Sequence, residues 1–366
     1  MIVAGGTGGH VYPALATAEA MSKLYPDVWL GFVGTVDGFE RPLVERAGIT
    51  FSAYDEVQAG PVHGVNPLRA ASSLFKLLRG TWAALGIVRR HQPDAILSTG
   101  GWASLPVALA ARWRGVPMLI YLPDVEPGRT INILKRFARR VAVTVDESQK
   151  FFKAGQAVVT GYPLRAGMHA VSAEDGRAHF GLSPDKKTLL VFGGSRGARA
   201  INIAFGDILP DLLARGDVQV IHITGTLDHE RVQAQVKAVG DHPDYHAFDY
   251  LHDDMALAFA AADLAVCRAG ASILGECPLF HLPAILIPLA YSWHYQQVNA
   301  DYLAERGAAI HLDEGDMSAG LLPTIERLLD APEHLDSLRE GMAALAQPHG
   351  AANVARELAE LAGGTR

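Results

Sequence analysis

The sequence predicts an α/β chain made of two doubly wound domains, each a parallel sheet with helices on both faces. Three observations carry this. Strand-like and helix-like segments alternate along the chain, the pattern of helix-covered parallel sheets. A strand, a glycine turn and a helix follow one another near residue 1 and again near residue 188. The 366 residues are enough for two domains of ordinary size.

The first domain opens on residues 2–4, a short buried strand. Gly5, Gly6, Gly8 and Gly9 then leave the backbone bare around Thr7, and a helix is expected around 13–24, with His10 at its start. Such a turn gathers unpaired N–H groups and the positive end of a helix at one spot, which suits a phosphate or a developing negative charge. His10 is the side chain there best suited to move a proton near neutral pH. The nicotinamide fingerprint fits poorly, because its third glycine position falls on Val11. Further strands are read at 28–33, 49–54, 95–97, 118–121, 141–145 and 157–159. Helices are read around 39–46, 67–90, 105–113, 130–138 and 147–152. The strand at 95–97 runs into a second glycine turn, Ser98 to Ser104, at the same sheet edge as the first. Two such turns side by side would hold a diphosphate, although this one alone fits a close-packed turn equally well.

The pattern restarts after Gly161-Tyr162-Pro163-Leu164-Arg165. A strand at 188–192 leads into a third glycine turn, Gly193 to Ala198, and a helix through 202–213. Strands at 218–223, 246–248, 264–266, 284–287 and 309–312 complete the second sheet. The expected domains are therefore 1–163 and 164–345, facing each other across a cleft, with a helix near 350–363 packing back on the first.

Composition narrows the class. Hydrophobic residues make up 49% and charged residues 19%, the balance of a globular protein. No charged leader precedes the first strand, so no signal peptide is expected. The longest apolar runs are short and carry prolines, so none is expected to span a bilayer. Only Cys267 and Cys277 occur, which argues against a disulfide framework and fits a reducing compartment. Neither HExxH nor CxxC is present, so no protein-held metal and no cofactor is expected. Residues 1–163 hold 17 Lys/Arg against 12 Asp/Glu, and residues 164–366 hold 15 against 27. A basic half on an acidic protein faces something anionic. A membrane surface is the expected partner and nucleic acid is not. Phe75, Arg79 and Trp82 share one helical face with Lys76 adjoining, Trp113 is flanked by Arg112 and Arg114, and Lys135, Arg136, Arg139 and Arg140 cluster. Aromatics among basic residues fit a surface resting on anionic lipid; the competing reading puts Phe75 and Trp82 in the core.

The segments AGGTGGHVYPALA (4–16), STGGWASLP (98–106), TGYPLR (160–165), FGGSRGARAIN (192–202), DDMALAFAAADLAVCRAGAS (253–272), Glu276 and QQVNADYLAERGAA (296–309) occur in the order of a known family. In them the chain resembles the MurG family, glycosyltransferases of family 28 that pass N-acetylglucosamine from its UDP ester to lipid I in peptidoglycan synthesis. The resemblance implies the GT-B fold, two Rossmann-like domains, and a hexosyltransferase that inverts the anomeric centre. It implies an acceptor on an undecaprenyl diphosphate and a place on the cytoplasmic face of the cell membrane. It assigns the turn Gly193–Ala198, with Ser195, to the UDP diphosphate, and Glu276 to the ribose hydroxyls. Ala271, Ser272, Ile273, Leu274 and Gly275 would line diphosphate and ribose, and the His252 backbone would read the uracil edge. Gln296 and Gln297 would bond sugar hydroxyls, Gln297 more closely, and Arg165 would reach the donor. On the acceptor side stand Thr7, Gly8 and Gly9, with His10 as base or orienting group.

Departures from the family pattern mark this chain, among them an unusual segment at 291–295. Tyr121-Leu122-Pro123-Asp124 stands where the family usually has His-Glu-Gln-Asn, so Asp124 takes the place of an asparagine near donor sugar and acceptor. Arg196 replaces a common glutamine. An alternative is a related UDP-sugar transferase with another glycolipid acceptor. A UDP-N-acetylglucosamine 2-epimerase shares the architecture but leaves the acceptor-side turns and the basic aromatic patch without purpose. A membrane-surface scaffold without catalysis has no use for His10, the third glycine turn and Glu276 together.

Overall fold

A computed structural model describes the backbone of all residues except 7, 61–66, 195–196, 240–241, 290–293 and 364–366, and the side chains of those described except 67–74 and 238–239. The chain divides into two compact units. Unit 1 is Met1–Ala166 with Gln347–Arg366, and unit 2 is Gly167–Ala346.

Unit 1 begins with β1 (Ile2–Val3), α1 (Gly8–Leu24), β2 (Gly31–Thr35), α2 (Glu40–Arg46) and β3 (Ala53–Val57). It continues with α3 (Pro67–His91), β4 (Ile96–Ser98), α4 (Ser104–Arg114), β5 (Met118–Leu122), α5 (Arg129–Leu134), β6 (Arg140–Val143) and β7 (Ala157–Val159). The seven strands form one sheet in the order β3-β2-β1-β4-β5-β6-β7, with every described pairing parallel. The order reverses between β1 and β4, where Val3 lies beside Ser98. In open α/β sheets a ligand binds outside the carboxyl ends of the strands at such a reversal. The first two glycine turns follow those two strands.

Burial explains the strands. All five residues of β5 are buried, as a strand covered on both faces requires. The helix α4 buries Val107, Ala108, Ala110 and Ala111 and ends on Gly115 in the left-handed region at φ 71°. α3 lies close against the chain that leaves β3: a Cβ on Gly80 of α3 would lie 2.1 Å from the Gln58 carbonyl oxygen.

Unit 2 runs through α6 (Ala173–Phe180), β8 (Lys187–Phe192), α7 (Arg199–Ala214), β9 (Val218–Ile223), α8 (His229–Gln235), β10 (Tyr245–Phe248) and α9 (Met255–Ala261). It closes with β11 (Leu264–Cys267), α10 (Ile273–Leu279), β12 (Ala284–Leu286), α11 (Tyr295–Glu305), β13 (Ala309–His311), α12 (Met317–Asp330) and α13 (Pro332–Ala344). The six strands are parallel in the order β10-β9-β8-β11-β12-β13, reversing between β8 and β11. The last helix, α14 (Gly350–Gly363), belongs to unit 1 and packs on α1 and β5.

The strands are those expected, but some bounds move. β2 and β3 start three and four residues later than their apolar runs, and ahead of β2 Leu30 is buried before the paired segment begins. Burial, which a hydrophobic pattern reports, and strand pairing do not coincide there. α1 starts at Gly8 rather than near residue 13, so His10 lies inside its first turn. Glycine's low helix propensity argued for the later start, and packing on the second glycine turn overrides it. The segment near 147–152 is a 3-10 helix, Asp146–Phe151, and α5 is shorter than expected.

Candidate functional site

In unit 1 the glycine turns after β1 and β4 meet backbone to backbone. A Cβ on Gly101, at φ +87°, would lie 2.0 Å from the Gly5 carbonyl oxygen, so only glycine fits. His10 is fixed from two sides. The Thr99 hydroxyl donates to the His10 carbonyl at 2.7 Å, and His10 Nδ1 lies 3.2 Å from the Gly5 carbonyl oxygen. A carbonyl only accepts, so Nδ1 carries the hydrogen, and the neutral ring keeps its lone pair on Nε2. Burial pushes the His10 pKa below the ordinary imidazole value, against a smaller opposing effect of the Gly5 carbonyl. The ring rests on Gly100, where a Cβ would come within 2.6 Å of Cδ2 and 2.8 Å of Nε2. A neutral imidazole beside bare backbone at a sheet reversal can accept a proton from a hydroxyl held there.

Gly8 and Gly9 are the first two residues of α1, whose first turn contains no acidic side chain. Thr7 lies outside the described residues. Asp124 follows β5, half-buried, at the same sheet edge. The Tyr121 phenol, bonded to the Thr144 hydroxyl at 2.7 Å, is pushed well above its ordinary pKa by burial first and by Asp124 among lesser causes. Arg165 belongs to unit 1, its guanidinium 5.2 Å from the centre of the Tyr12 ring on α1.

Sequence reasoning passed over Glu40. It is fully buried behind the first turn and accepts hydrogen bonds from the Thr35 backbone and hydroxyl. A Cβ on Gly5, Gly34 or Gly38 would come within 3.0 Å or less of its Oε1. Three glycines make room for one carboxylate under the first turn. The signal was the glycine spacing around residues 34–38, but a glutamate at a helix start reads as solvated.

In unit 2 the turn after β8 lies at the second reversal. Gly194 and Gly197 have φ of +87° and +77°, and the Gly197 N–H donates to the Gly194 carbonyl at 2.9 Å. Ser195 and Arg196 lie outside the described residues. α7 starts from Ala198 without a side-chain cap and without an acidic first turn, which suits an anion at its start. After β11, Ala271 and Ser272 lead into α10, with Ile273 and Leu274 buried and Gly275 and Glu276 half-buried in its first turn. His252 is exposed, edge-on to Tyr250 with ring centres 4.6 Å apart. Gln296 spends its amide oxygen on the Leu289 N–H at 2.9 Å, whereas Gln297 is exposed.

A buried polar network ties α7 to the strands beside it. Asn202 Nδ2 donates to the Thr224 carbonyl and to Asp228, both at 2.8 Å. His222 Nε2 donates to Asn202 Oδ1 at 3.1 Å, which leaves His222 Nδ1 to accept from the Tyr245 hydroxyl at 2.9 Å. Burial, with the neighbouring His229, lowers the His222 pKa to about 3, so the ring is neutral. Asp228 is held to about 2, chiefly by hydrogen bonds from Arg231. Among these residues the sequence had marked only Asn202, as part of a motif.

The surface aromatics stand clear of the core: Phe75 is 60% exposed, and Trp82 and Trp113 are each 75% exposed. The cluster at 135–140 is only partly available. Arg140 pairs with Glu357 and Glu360 of α14, and Lys135 donates to the Phe151 carbonyl at 3.0 Å. Among the described residues, no helix is long and apolar enough to cross a membrane.

Comparison with known proteins bears directly on this geometry. The model of the glycosyltransferase family 28 N-terminal domain matches residues 1–143, and that of the glycosyltransferase family 28 C-terminal domain matches residues 188–357. A protein of Roseiflexus sp. (strain RS-1), described as a UDP-N-acetylglucosamine–N-acetylmuramyl-(pentapeptide) pyrophosphoryl-undecaprenol N-acetylglucosamine transferase, is 39% identical over 97% of this chain and 93% of its own length. A protein of Desulforudis audaxviator with the same description is 36% identical over 100% of this chain and 99% of its own. The crystal structure of Acinetobacter baumannii MurG superposes with a TM-score of 0.78 at 28% identity, covering 98% of each chain.

Proposed function

The chain belongs to glycosyltransferase family 28, and from that premise we propose that it transfers N-acetylglucosamine from UDP-N-acetylglucosamine to lipid I, giving lipid II for the cell wall. The observation that carries the chemistry is the placement of the His10 ring, Nδ1 toward the Gly5 carbonyl and Nε2 over Gly100. The C4 hydroxyl of the muramyl sugar attacks C1 of N-acetylglucosamine, the C1–O bond to UDP breaks, and the anomeric configuration inverts. His10 Nε2 takes the hydroxyl proton, or orients that hydroxyl.

Unit 2 holds the donor in this reading. The turn Gly193–Ala198, with Ser195 and the uncapped start of α7, takes the diphosphate and the charge that builds on it as UDP leaves. Ala271 to Gly275 line diphosphate and ribose, Glu276 accepts the ribose hydroxyls, and the His252 backbone meets the uracil edge. Gln297, whose amide is exposed, bonds the donor sugar. Gln296 serves by holding the backbone at Leu289, a supporting role. On unit 1, Gly8 and Gly9 offer backbone N–H groups to the acceptor diphosphate, and Asp124 accepts from a sugar hydroxyl. Arg165, its guanidinium over the Tyr12 ring, reaches the donor. The protein works peripherally at the cytoplasmic face of the membrane, resting on Phe75, Trp82 and Trp113 with their basic neighbours.

The test is transfer of labelled N-acetylglucosamine to lipid I, with diacylglycerol as the competing acceptor and product configuration read by NMR. A β-linked disaccharide formed only on lipid I is expected. Transfer to diacylglycerol instead favours the other glycolipid acceptor.

A further inference from the structure

We infer that unit 1 carries a subsite for the part of the acceptor's hydrocarbon chain nearest its diphosphate, in an apolar cleft beside the second glycine turn. This rests on the transferase reading above. The cleft measures about 520 Å³ with its mouth included. Its walls come from Ala59 after β3, Leu77 of α3, Trp102 and Leu105 at the start of α4, and Thr130 and Ile133 of α5. Trp102 and Ile133 each remain 37% exposed, so two large apolar side chains face the opening without cover. Polar groups in the lining are few, and a nucleoside or sugar would lose hydrogen bonds to water there without replacement.

The cleft's position selects its occupant. Gly101 lines it, and the same residue packs on the Gly5 carbonyl, while Gly100 next to it carries the His10 ring. One turn therefore separates the proton acceptor from the apolar space. The start of α4, with Leu105 in its first turn, has no side-chain cap and no acidic residue there. A prenyl diphosphate has this same sequence of parts. Its sugar lies on one side of the diphosphate, and its hydrocarbon begins directly at the other phosphate with no polar spacer. An acceptor with its hydroxyl at His10 and its diphosphate on the glycine turns must put its first isoprene units beyond Gly101. From Leu77, Phe75 and Leu78 continue the apolar surface along α3 with 60% and 56% exposure, a path by which a longer chain leaves.

The experiment is a chain-length series. Muramyl-pentapeptide diphosphates with one to four isoprene units are offered in detergent, without vesicles, and acceptor KM is measured for the parent, for Ala59→Phe, which fills the cleft, and for Ile133→Ser, which opens its wall. In the parent, KM is expected to fall by roughly threefold to tenfold with each of the first added units. Both variants should flatten that series, raising KM for the longer acceptors about tenfold while KM for UDP-N-acetylglucosamine stays the same. A series equally steep in parent and variants overturns the subsite and leaves the transferase reading intact. Geranyl diphosphate supplies a readout independent of transfer, by its effect on tryptophan fluorescence in the parent and in Trp102→Phe. Saturable binding weakened in Ala59→Phe supports the subsite even where no acceptor is turned over, and in that case the transferase reading falls. Binding unaffected by Ala59→Phe overturns the subsite.

Discussion

In the proposed mechanism His10 acts as a base, and burial, which lowers its pKa below the ordinary imidazole value, favours the uncharged ring that this role needs. The acid limb of kcat/KM should therefore fall below the range of an ordinary histidine, about pH 6.5, rather than at it. His10→Ala is expected to cut kcat by about 10²–10⁴ with UDP affinity retained, and unchanged turnover would remove the residue from the mechanism. Gly100→Ala tests the positioning separately. The added methyl meets the ring at 2.6 Å, at a φ of +111° that disfavours any side chain. A loss of about 10²-fold in kcat with UDP affinity held, measured by initial rates and calorimetry, is expected.

The helix α7 is tethered at its start, where Asn202 joins it to Thr224 and Asp228. Asn202→Ala breaks these bonds and strands the His222 N–H in the interior. It should cost about 2–4 kcal/mol in urea unfolding and weaken UDP binding as well, since the glycine turn loses its anchor. The network also makes stability depend on pH. His222 takes up a proton near 6.5 when unfolded and only at about 3 when folded, so its contribution is complete above pH 6.5 and is lost as pH falls from there toward 3. Asp228, held at about 2, adds its loss only below the ordinary carboxylate range. Between pH 6.5 and 4, His222→Gln should therefore unfold with a flatter pH profile than the parent, by up to about 1.4 kcal/mol per pH unit. A parallel profile would show that His222 is not the proton acceptor. The glycine turns were legible because bare backbone between a strand and a helix has a local signature. The network was not, since Asn202, His222 and Tyr245 meet only once β8, β9 and β10 pair in register. Glu40 escaped for the same reason: what buries it is the approach of Gly5, Gly34 and Gly38.

Unit 1 is closed by a helix that lies beyond all of unit 2 in the chain. α14 buries Val354, Ala355, Leu358 and Leu361 and pairs Glu357 with Arg140 at the start of β6. Truncation after Ala346 should lower the melting temperature of unit 1 by more than 5 °C, of the order expected when several buried aliphatic side chains are lost, with unit 2 little changed. Calorimetry that finds both transitions unmoved would contradict this packing. If unit 1 rests on lipid as proposed, Phe75→Ser with Trp82→Ser should abolish sedimentation with anionic vesicles. If the double variant still sediments, the anchor lies elsewhere. The connections leaving and re-entering unit 1 touch: a Cβ on Gly161 would lie 2.8 Å from Gln347, and one on Gly350 would lie 2.3 Å from the Tyr162 carbonyl oxygen. Unit 2 is thus a guest spliced into its host at a single doorway. During translation the host sheet can assemble early, yet it stays unsealed until the entire guest has left the ribosome.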